Sequence, residues 1–107
     1  MTSISIGART FGIQLRRSDP VLDANPRAQS YTDHMASLIV VRDDPSFSRD
    51  AREELLVHEL LHVIIKNAGL HECLREGFTE EFVVSALAPR LHALLKELGA
   101  VVPSMCA

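Results

Sequence analysis

Two histidines and a glutamate stand close together in the middle of the chain, at His58, Glu59 and His62. Histidines four residues apart on a helix lie on one face, with their Cβ atoms about 5–6 Å apart. At that spacing both imidazoles can bind one tetrahedral Zn²⁺ ion. The glutamate between them lies beside such an ion and can act as general base on the attacking water. The pattern therefore predicts a zinc site with His58 and His62 as ligands and Glu59 as the catalytic residue.

The simpler interpretation is that these side chains are ordinary buried polar residues. It must account for three polar side chains on an otherwise strongly apolar segment. Burying each of them without a partner would cost roughly 2–3 kcal/mol. A single metal ion would remove that cost for all three together, so the sequence favours metal binding.

A catalytic zinc site usually has three protein ligands and one open position, so one ligand is still needed. Glu81 is favoured because it falls one turn before Ser85, whose hydroxyl can orient it, and away from the apolar stripe of its helix. Glu80 remains the alternative, although it suits the first turn of a helix against the dipole. The weaker candidates are expected in a loop or at the surface: His34, His71, Cys73 and His92.

Two helices are predicted to carry these residues. Ser48 is typical of an N-cap, and helix-forming residues continue from 51 to 66. A helix this apolar is expected to be central and buried. Thr79 is a second N-cap, followed by a helix with an apolar stripe at Val83, Leu87, Leu91 and Leu94 that is kinked or split at Pro89.

The first third of the chain predicts a small sheet. Apolar residues alternate with polar ones over 4–15, which indicates a strand or a strand pair broken near Gly12. The segment 16–29 is expected to be a loop, 31–32 a short strand and 37–41 a β-branched strand. The predicted fold class is α+β, with a small antiparallel sheet packed on the two helices.

Length and composition bound the possible functions. The 107 residues are expected to form one domain, 1–107, and the formal charge of −3 does not favour a nucleic acid or an anionic membrane as partner. No apolar run approaches the ~18 residues of a spanning helix, and the first residues lack the pattern of a signal peptide. Cys73 and Cys106 form no C-x-x-C motif, so a reducing, cytoplasmic setting is expected.

Two segments, 55–62 (LLVHELLH) and 80–89 (EEFVVSALAP), together resemble the small zincins encoded by phages and their bacterial hosts. They are similar to the metallopeptidase domain of the ImmA/IrrE group, in which the H-E-x-x-H helix is followed by a helix with a glutamate and, four residues later, a small polar residue. Those positions correspond to Glu81 and Ser85, although the group often has asparagine or aspartate at the latter. The resemblance covers about half of the chain, from 37 to 95.

The resemblance implies a gluzincin-like zinc metallopeptidase that acts on a peptide or protein. It implies that His58, His62 and Glu81 hold the zinc and that Glu59 is the general base. It also implies that the strand 37–41 lies at the sheet edge beside the active site, where an extended substrate can pair with it. Zincins use a further side chain to stabilise the oxyanion, and Tyr31 and His34 are the candidates here.

Two other functions compete with this hypothesis. The chain could be a catalytically silent binding or regulatory protein that zinc stabilises, because no oxyanion residue or specificity cleft is evident from the sequence. It could also be a structural domain in which the motif occurs by coincidence, and a metal assay alone would identify that case.

Overall fold

The chain forms four strands and three helices in a computed structural model that describes residues 2–74 and 77–99, with the backbone alone at Thr2 and His71. Cys106, which the sequence analysis considered, lies outside the described residues. No described helix is both long and apolar enough to cross a membrane. The elements are β1 (Thr2–Ile6), β2 (Arg9–Arg16), α1 (Pro20–Ala24), β3 (Ser30–Asp33), β4 (Leu38–Arg42), α2 (Arg49–Asn67), a 3₁₀ turn (Leu70–Cys73) and α3 (Glu80–Glu97).

The predicted α+β class is confirmed, but the sheet is mixed and not antiparallel. Its strand order is β1-β2-β4-β3, with antiparallel pairs at β1–β2 and β3–β4 and a parallel pair at β2–β4. The three central residues of β4, Ile39 to Val41, are fully buried, whereas β3 is polar. The β3–β4 hairpin therefore inserts its apolar strand next to β2, and this arrangement makes β4 parallel to β2.

The position of β4 corrects the expectation that 37–41 would form the edge strand. β4 lies inside the sheet between β2 and β3. β3 is the edge strand, and it contacts α2. Strand character in a sequence does not reveal which strand of a hairpin lies outermost, because that choice depends on how both strands pack against the rest of the chain.

Two predictions for the first third of the chain were wrong. The strand pair breaks at Gly7, which adopts a left-handed φ of +60° in the β1–β2 turn, whereas Gly12 lies within β2 opposite Leu38. The segment expected to be a loop contains α1, which begins after Asp19, with Pro20 at its first position. An aspartate N-cap followed by proline is a helix start that the weak periodicity concealed.

Helix α2 is central, as predicted. It begins after Ser48, whose side chain accepts a hydrogen bond from the Ala51 backbone N–H. One face packs on the sheet through Leu56 and Val63, and another face packs on α3. The side chains of α2 on this second face are Val57, Leu61 and Ile65, which meet Val84 and Ala88.

Helix α3 runs antiparallel to α2 and is not split at Pro89, which removes a single helical hydrogen bond. Its buried face consists of Val84, Ala88 and His92. The predicted apolar stripe was wrong in half of its residues: Val83 and Leu91 pack against the core between α2 and α3, whereas Leu87 and Leu94 are 46% and 54% exposed. Glu81 and Ser85 therefore lie beside the buried face of α3 and towards α2.

Candidate metal centre

Two elements bring three potential zinc ligands to one point. Helix α2 provides His58 and His62, the first turn of α3 provides Glu81, and their ligand atoms all lie within 4.8 Å of one another. The Glu81 carboxylate lies 3.0 Å from His58 Nε2 and 2.8 Å from His62 Nε2. Ligands around a tetrahedral zinc ion at about 2.0–2.1 Å would be roughly 3.3 Å apart. The donor types suit Zn²⁺, and both separations between Glu81 and a histidine are within about half an ångström of that value.

Glu80 contacts the other nitrogen of His62. Its Oε2 lies 2.5 Å from His62 Nδ1, so both ring nitrogens face a carboxylate. Burial alone would lower the pKa of His62, but the hydrogen bonds that its ring makes to the Glu80 and Glu81 carboxylates outweigh burial and raise the pKa above its ordinary 6.5. With a metal on Nε2, Nδ1–H would donate to Glu80, an arrangement that orients ligating histidines. Glu80 thus lies where it can orient a ligand, and not where it would be one.

Glu81 is the most accessible of the three potential zinc ligands, with a side chain that is 64% exposed. Partial burial would raise the pKa of its carboxyl, but His58, His62 and the Ser85 hydroxyl lower it below the ordinary value of 4.5. Ser85 Oγ donates to Glu81 Oε1 over 3.2 Å. The contact expected between Ser85 and Glu81 is therefore present, and the carboxylate is ionised in the range where zinc binds.

Glu59 is 6% exposed and reaches from α2 to the edge strand. Its Oε2 accepts a hydrogen bond from Ser30 Oγ at 2.7 Å, and its Oε1 accepts one from Thr32 Oγ1 at 2.8 Å. Alternate residues of a strand share a face, so β3 directs both hydroxyls at one carboxylate. Sequence reasoning missed Ser30 and Thr32; two hydroxyl residues spaced by two in a strand were the available signal.

One cavity of about 500 Å³ joins these groups. It is lined by all three potential ligands and by Glu59, and also by Tyr31 and His34. The ligands and the general base proposed from the sequence therefore share one solvent-accessible space.

The two oxyanion candidates differ in what they can donate. The Tyr31 hydroxyl donates to Asp19 over 2.9 Å and is therefore engaged outside the site. His34 lies in the β3–β4 turn, where Arg9 donates to its carbonyl oxygen. Burial, and then the charges of Lys66 and Arg9, lower the pKa of His34 below 6.5, so its ring is neutral at pH 7. A neutral imidazole can still donate one hydrogen bond to an oxyanion.

Among the described side chains, the remaining ligand candidates do not join this site. Cys73 is an exposed free thiol in the 3₁₀ turn, and the side chain of His71 lies outside the described part of the chain. The expectation that His92 is a surface residue was wrong, because its side chain is buried and its Nε2 lies 3.1 Å from Glu53 Oε1. The antiparallel packing of α3 on α2 places His92 at that contact.

A second group of possible ligands, Asp50, Glu53 and His92, also has its ligand atoms within 4.8 Å of one another. Lys96 Nζ donates to both Asp50 oxygens at 2.9 Å, and Arg49 Nε lies 3.2 Å from Glu53. These cations already neutralise the carboxylates, and their positive charge disfavours a metal cation nearby. This group is therefore an ion-pair network that joins the far ends of α2 and α3.

The candidate metal centre thus combines two imidazoles, one accessible carboxylate and a buried carboxylate in one cavity. Two histidines and a glutamate are a donor set typical of catalytic zinc sites. Comparison with protein-family models, curated proteins and solved structures finds no match for this chain.

Proposed function

We propose that this chain is a zinc-dependent metallopeptidase that hydrolyses peptide bonds. The observation that carries the proposal is the convergence of His58, His62 and Glu81 on one point, with Glu59 in the same cavity. Zinc bound by these three residues would polarise the peptide carbonyl and make a water molecule acidic enough to attack at neutral pH.

Glu59 would accept the proton of the attacking water and later deliver it to the leaving amine. Hydrogen bonds from Ser30 and Thr32 hold its carboxylate in one orientation, and each oxygen keeps a second lone pair for the water. His34, neutral and in the same cavity, would donate a hydrogen bond to the oxyanion that forms on the substrate.

The substrate would be an extended peptide segment paired with β3. This strand ends the sheet, and no described strand pairs with its outer backbone groups. Such an edge can accept an extended peptide as an additional strand. We therefore assign to β3 the role that the sequence suggested for 37–41.

The proposal includes a cytoplasmic location. Cys73 is a free, exposed thiol, which suits a reducing compartment. The formal charge of −3 favours a peptide or protein substrate over a nucleic acid.

The direct test is a comparison of the zinc-loaded wild-type chain with its Glu59→Gln variant on an unfolded protein substrate. We expect Glu59→Gln to keep its zinc, measured by elemental analysis, and to cleave about 10²–10⁴-fold more slowly. The double variant His58→Ala, His62→Ala should lose both zinc and activity. A Glu59→Gln variant that cleaves at the wild-type rate would contradict the proposed mechanism.

A second candidate is a zinc-stabilised binding or regulatory protein without catalytic activity. It is favoured by the hydrogen bonds that occupy both oxygens of Glu59, because a carboxylate held this way can serve structure alone. In that case zinc would raise the melting temperature of the wild-type chain, and no peptide substrate would be cut.

A further inference from the structure

We propose that a second cavity beside the metal centre is a substrate subsite for a lysine or arginine side chain. The cavity has a volume of about 400 Å³ and lies between α2, α3 and the segment before α2. It shares Gln29, Leu55 and His58 with the cavity of the metal centre. A peptide cleaved at the metal would therefore place a neighbouring side chain here; the inference rests on the proposed function and specifies its substrate class.

The walls of this cavity suit the methylene stem of a long side chain. Its lining includes the apolar side chains of Phe47, Leu55, Ala88 and Pro89. Lysine and arginine bury their stems along apolar surface while their charged heads contact polar groups. The volume falls within the roughly 300–1,000 Å³ typical of ligand sites.

Two hydrogen-bond acceptors that line this cavity have no donor among the described side chains. Gln29 Oε1 is buried and has no hydrogen-bond partner among the described residues. The Glu54 carboxylate is exposed at the rim, and no described side chain forms an ion pair or hydrogen bond with it. An amide oxygen and a carboxylate both accept hydrogen bonds, so a cationic side chain is the donor that complements this cavity.

The cavity at the other end of the site has the opposite charge. It measures about 250 Å³ and is lined by Arg9 and Lys66, with His34 at its boundary with the metal centre. Helix α2 thus carries Glu54 on one side of the two histidines and Lys66 on the other. A basic substrate side chain is attracted to the Glu54 side and repelled from the Lys66 side.

The test uses short peptide hydroxamates, which bind zinc without being cleaved. Each pair differs solely in lysine or norleucine, which has the same stem without the amino group, and two series place this residue on either side of the hydroxamate. Dissociation constants are measured on the zinc-loaded chain. We expect lysine to bind about tenfold more tightly than norleucine in one series, with a smaller ratio at high salt.

Variants then locate the effect. Glu54→Gln should reduce the lysine preference several-fold, and Glu54→Lys should make norleucine the tighter ligand. Adding Gln29→Leu to Glu54→Gln should abolish the preference that remains. Glu97→Gln, the same change at the far end of α3, should leave the ratio unchanged, and zinc content confirms that each variant retains its metal centre.

Each other outcome overturns a specific statement. Equal or tighter binding of norleucine in both series would overturn the proposed subsite for a lysine or arginine side chain. The metallopeptidase proposal would be unaffected by that result. A lysine preference that survives the double substitution would show that the cation binds elsewhere. A zinc-loaded chain that binds no hydroxamate would overturn the proposed function and the subsite with it.

Discussion

At the scale of single residues, His62 differs from His58 in having a carboxylate at each ring nitrogen. Glu81 faces Nε2 and Glu80 faces Nδ1, whereas the ion pair of His58 is with Glu81. This difference gives the two adjacent glutamates separate roles: Glu81 is a proposed metal ligand, and Glu80 orients the His62 ring. The pattern in the sequence presented them as alternatives for a single role, because spacing along the chain cannot distinguish a ligand from the group that orients a ligand.

Replacing Glu80 with alanine should lower the zinc affinity about ten- to a hundredfold, because His62 loses the partner that holds its ring and tautomer. The affinity can be measured by competition with a chromophoric chelator. Glu97→Ala is the matched control on the same helix and should bind zinc like the wild type. An unchanged affinity in Glu80→Ala would contradict the orienting role.

The raised pKa of His62 predicts a pH dependence of the metal-free chain. A folded-state pKa above the unfolded 6.5 means that protonated His62 stabilises the fold below pH 6.5 and that this contribution is lost as pH rises through the folded pKa. Glu81 affects stability in a different pH range, because its pKa is lowered and its contribution is lost as pH falls below 4.5. The melting temperature in chelator should therefore decrease above pH 6.5, and this decrease should be smaller in Glu80→Ala.

Replacing Thr32 with valine tests how Glu59 is held. The change removes one donor at nearly constant shape, so we expect zinc content to be kept and kcat to decrease about tenfold as the base loses its orientation. Peptide cleavage by the zinc-loaded chain measures the effect. Thr10→Val on β2 is a matched control with no contact to the site, and loss of activity there would indicate a general effect on the sheet.

At the scale of elements, the site depends on where β3 lies, and Asp19 fixes β3 to the start of α1. The buried Asp19 carboxylate accepts hydrogen bonds from Arg16 at 2.7 Å and from the Tyr31 hydroxyl at 2.9 Å. It also caps α1 through the backbone N–H groups of Val21 and Leu22. These contacts join β2, α1 and β3 at one side chain.

Asp19→Ala should lower the free energy of unfolding by about 3 kcal/mol, since it leaves buried donors without an acceptor. Burial alone would raise the pKa of Asp19, but its hydrogen bonds lower it below 3.8. Its contribution is therefore present above pH 3.8 and is lost as pH falls through the folded pKa. Urea unfolding measures the loss; Asp23→Ala, an exposed carboxylate of α1, should cost less than 1 kcal/mol.

The elements differed in how far the sequence could predict them. Apolar periodicity and the caps at Ser48 and Thr79 located α2 and α3 to within a few residues, because those signals are local. The parallel β2–β4 pair and the outer position of β3 depend on contacts between distant segments. The same holds for Ser30 and Thr32, which lie 29 and 27 residues from Glu59.

At the scale of the whole molecule, α2 lies between the sheet and α3, and the proposed zinc would join α2 to α3. The sheet side and the α3 side form separate apolar clusters, each centred on a different face of α2. A domain of this size buries a limited core and is only marginally stable. A metal that bridges the two helices would therefore contribute substantially to folding stability.

Zinc in about hundredfold excess over its dissociation constant should stabilise the chain by about 2.7 kcal/mol. For a domain of this length that corresponds to a rise in melting temperature of about 10–20 °C. Thermal unfolding with zinc and with chelator measures this shift. The double variant His58→Ala, His62→Ala should show no shift, and a shift of the same size there would place the stabilising metal elsewhere.

The location of bound zinc tests the central claim most directly. Anomalous scattering at the zinc absorption edge, on crystals of the zinc-loaded chain, should show one ion bonded to His58 Nε2, His62 Nε2 and the Glu81 carboxylate, with an open position facing Glu59. Zinc at Asp50, Glu53 and His92 instead, or no bound zinc at the two histidines of α2, would contradict it.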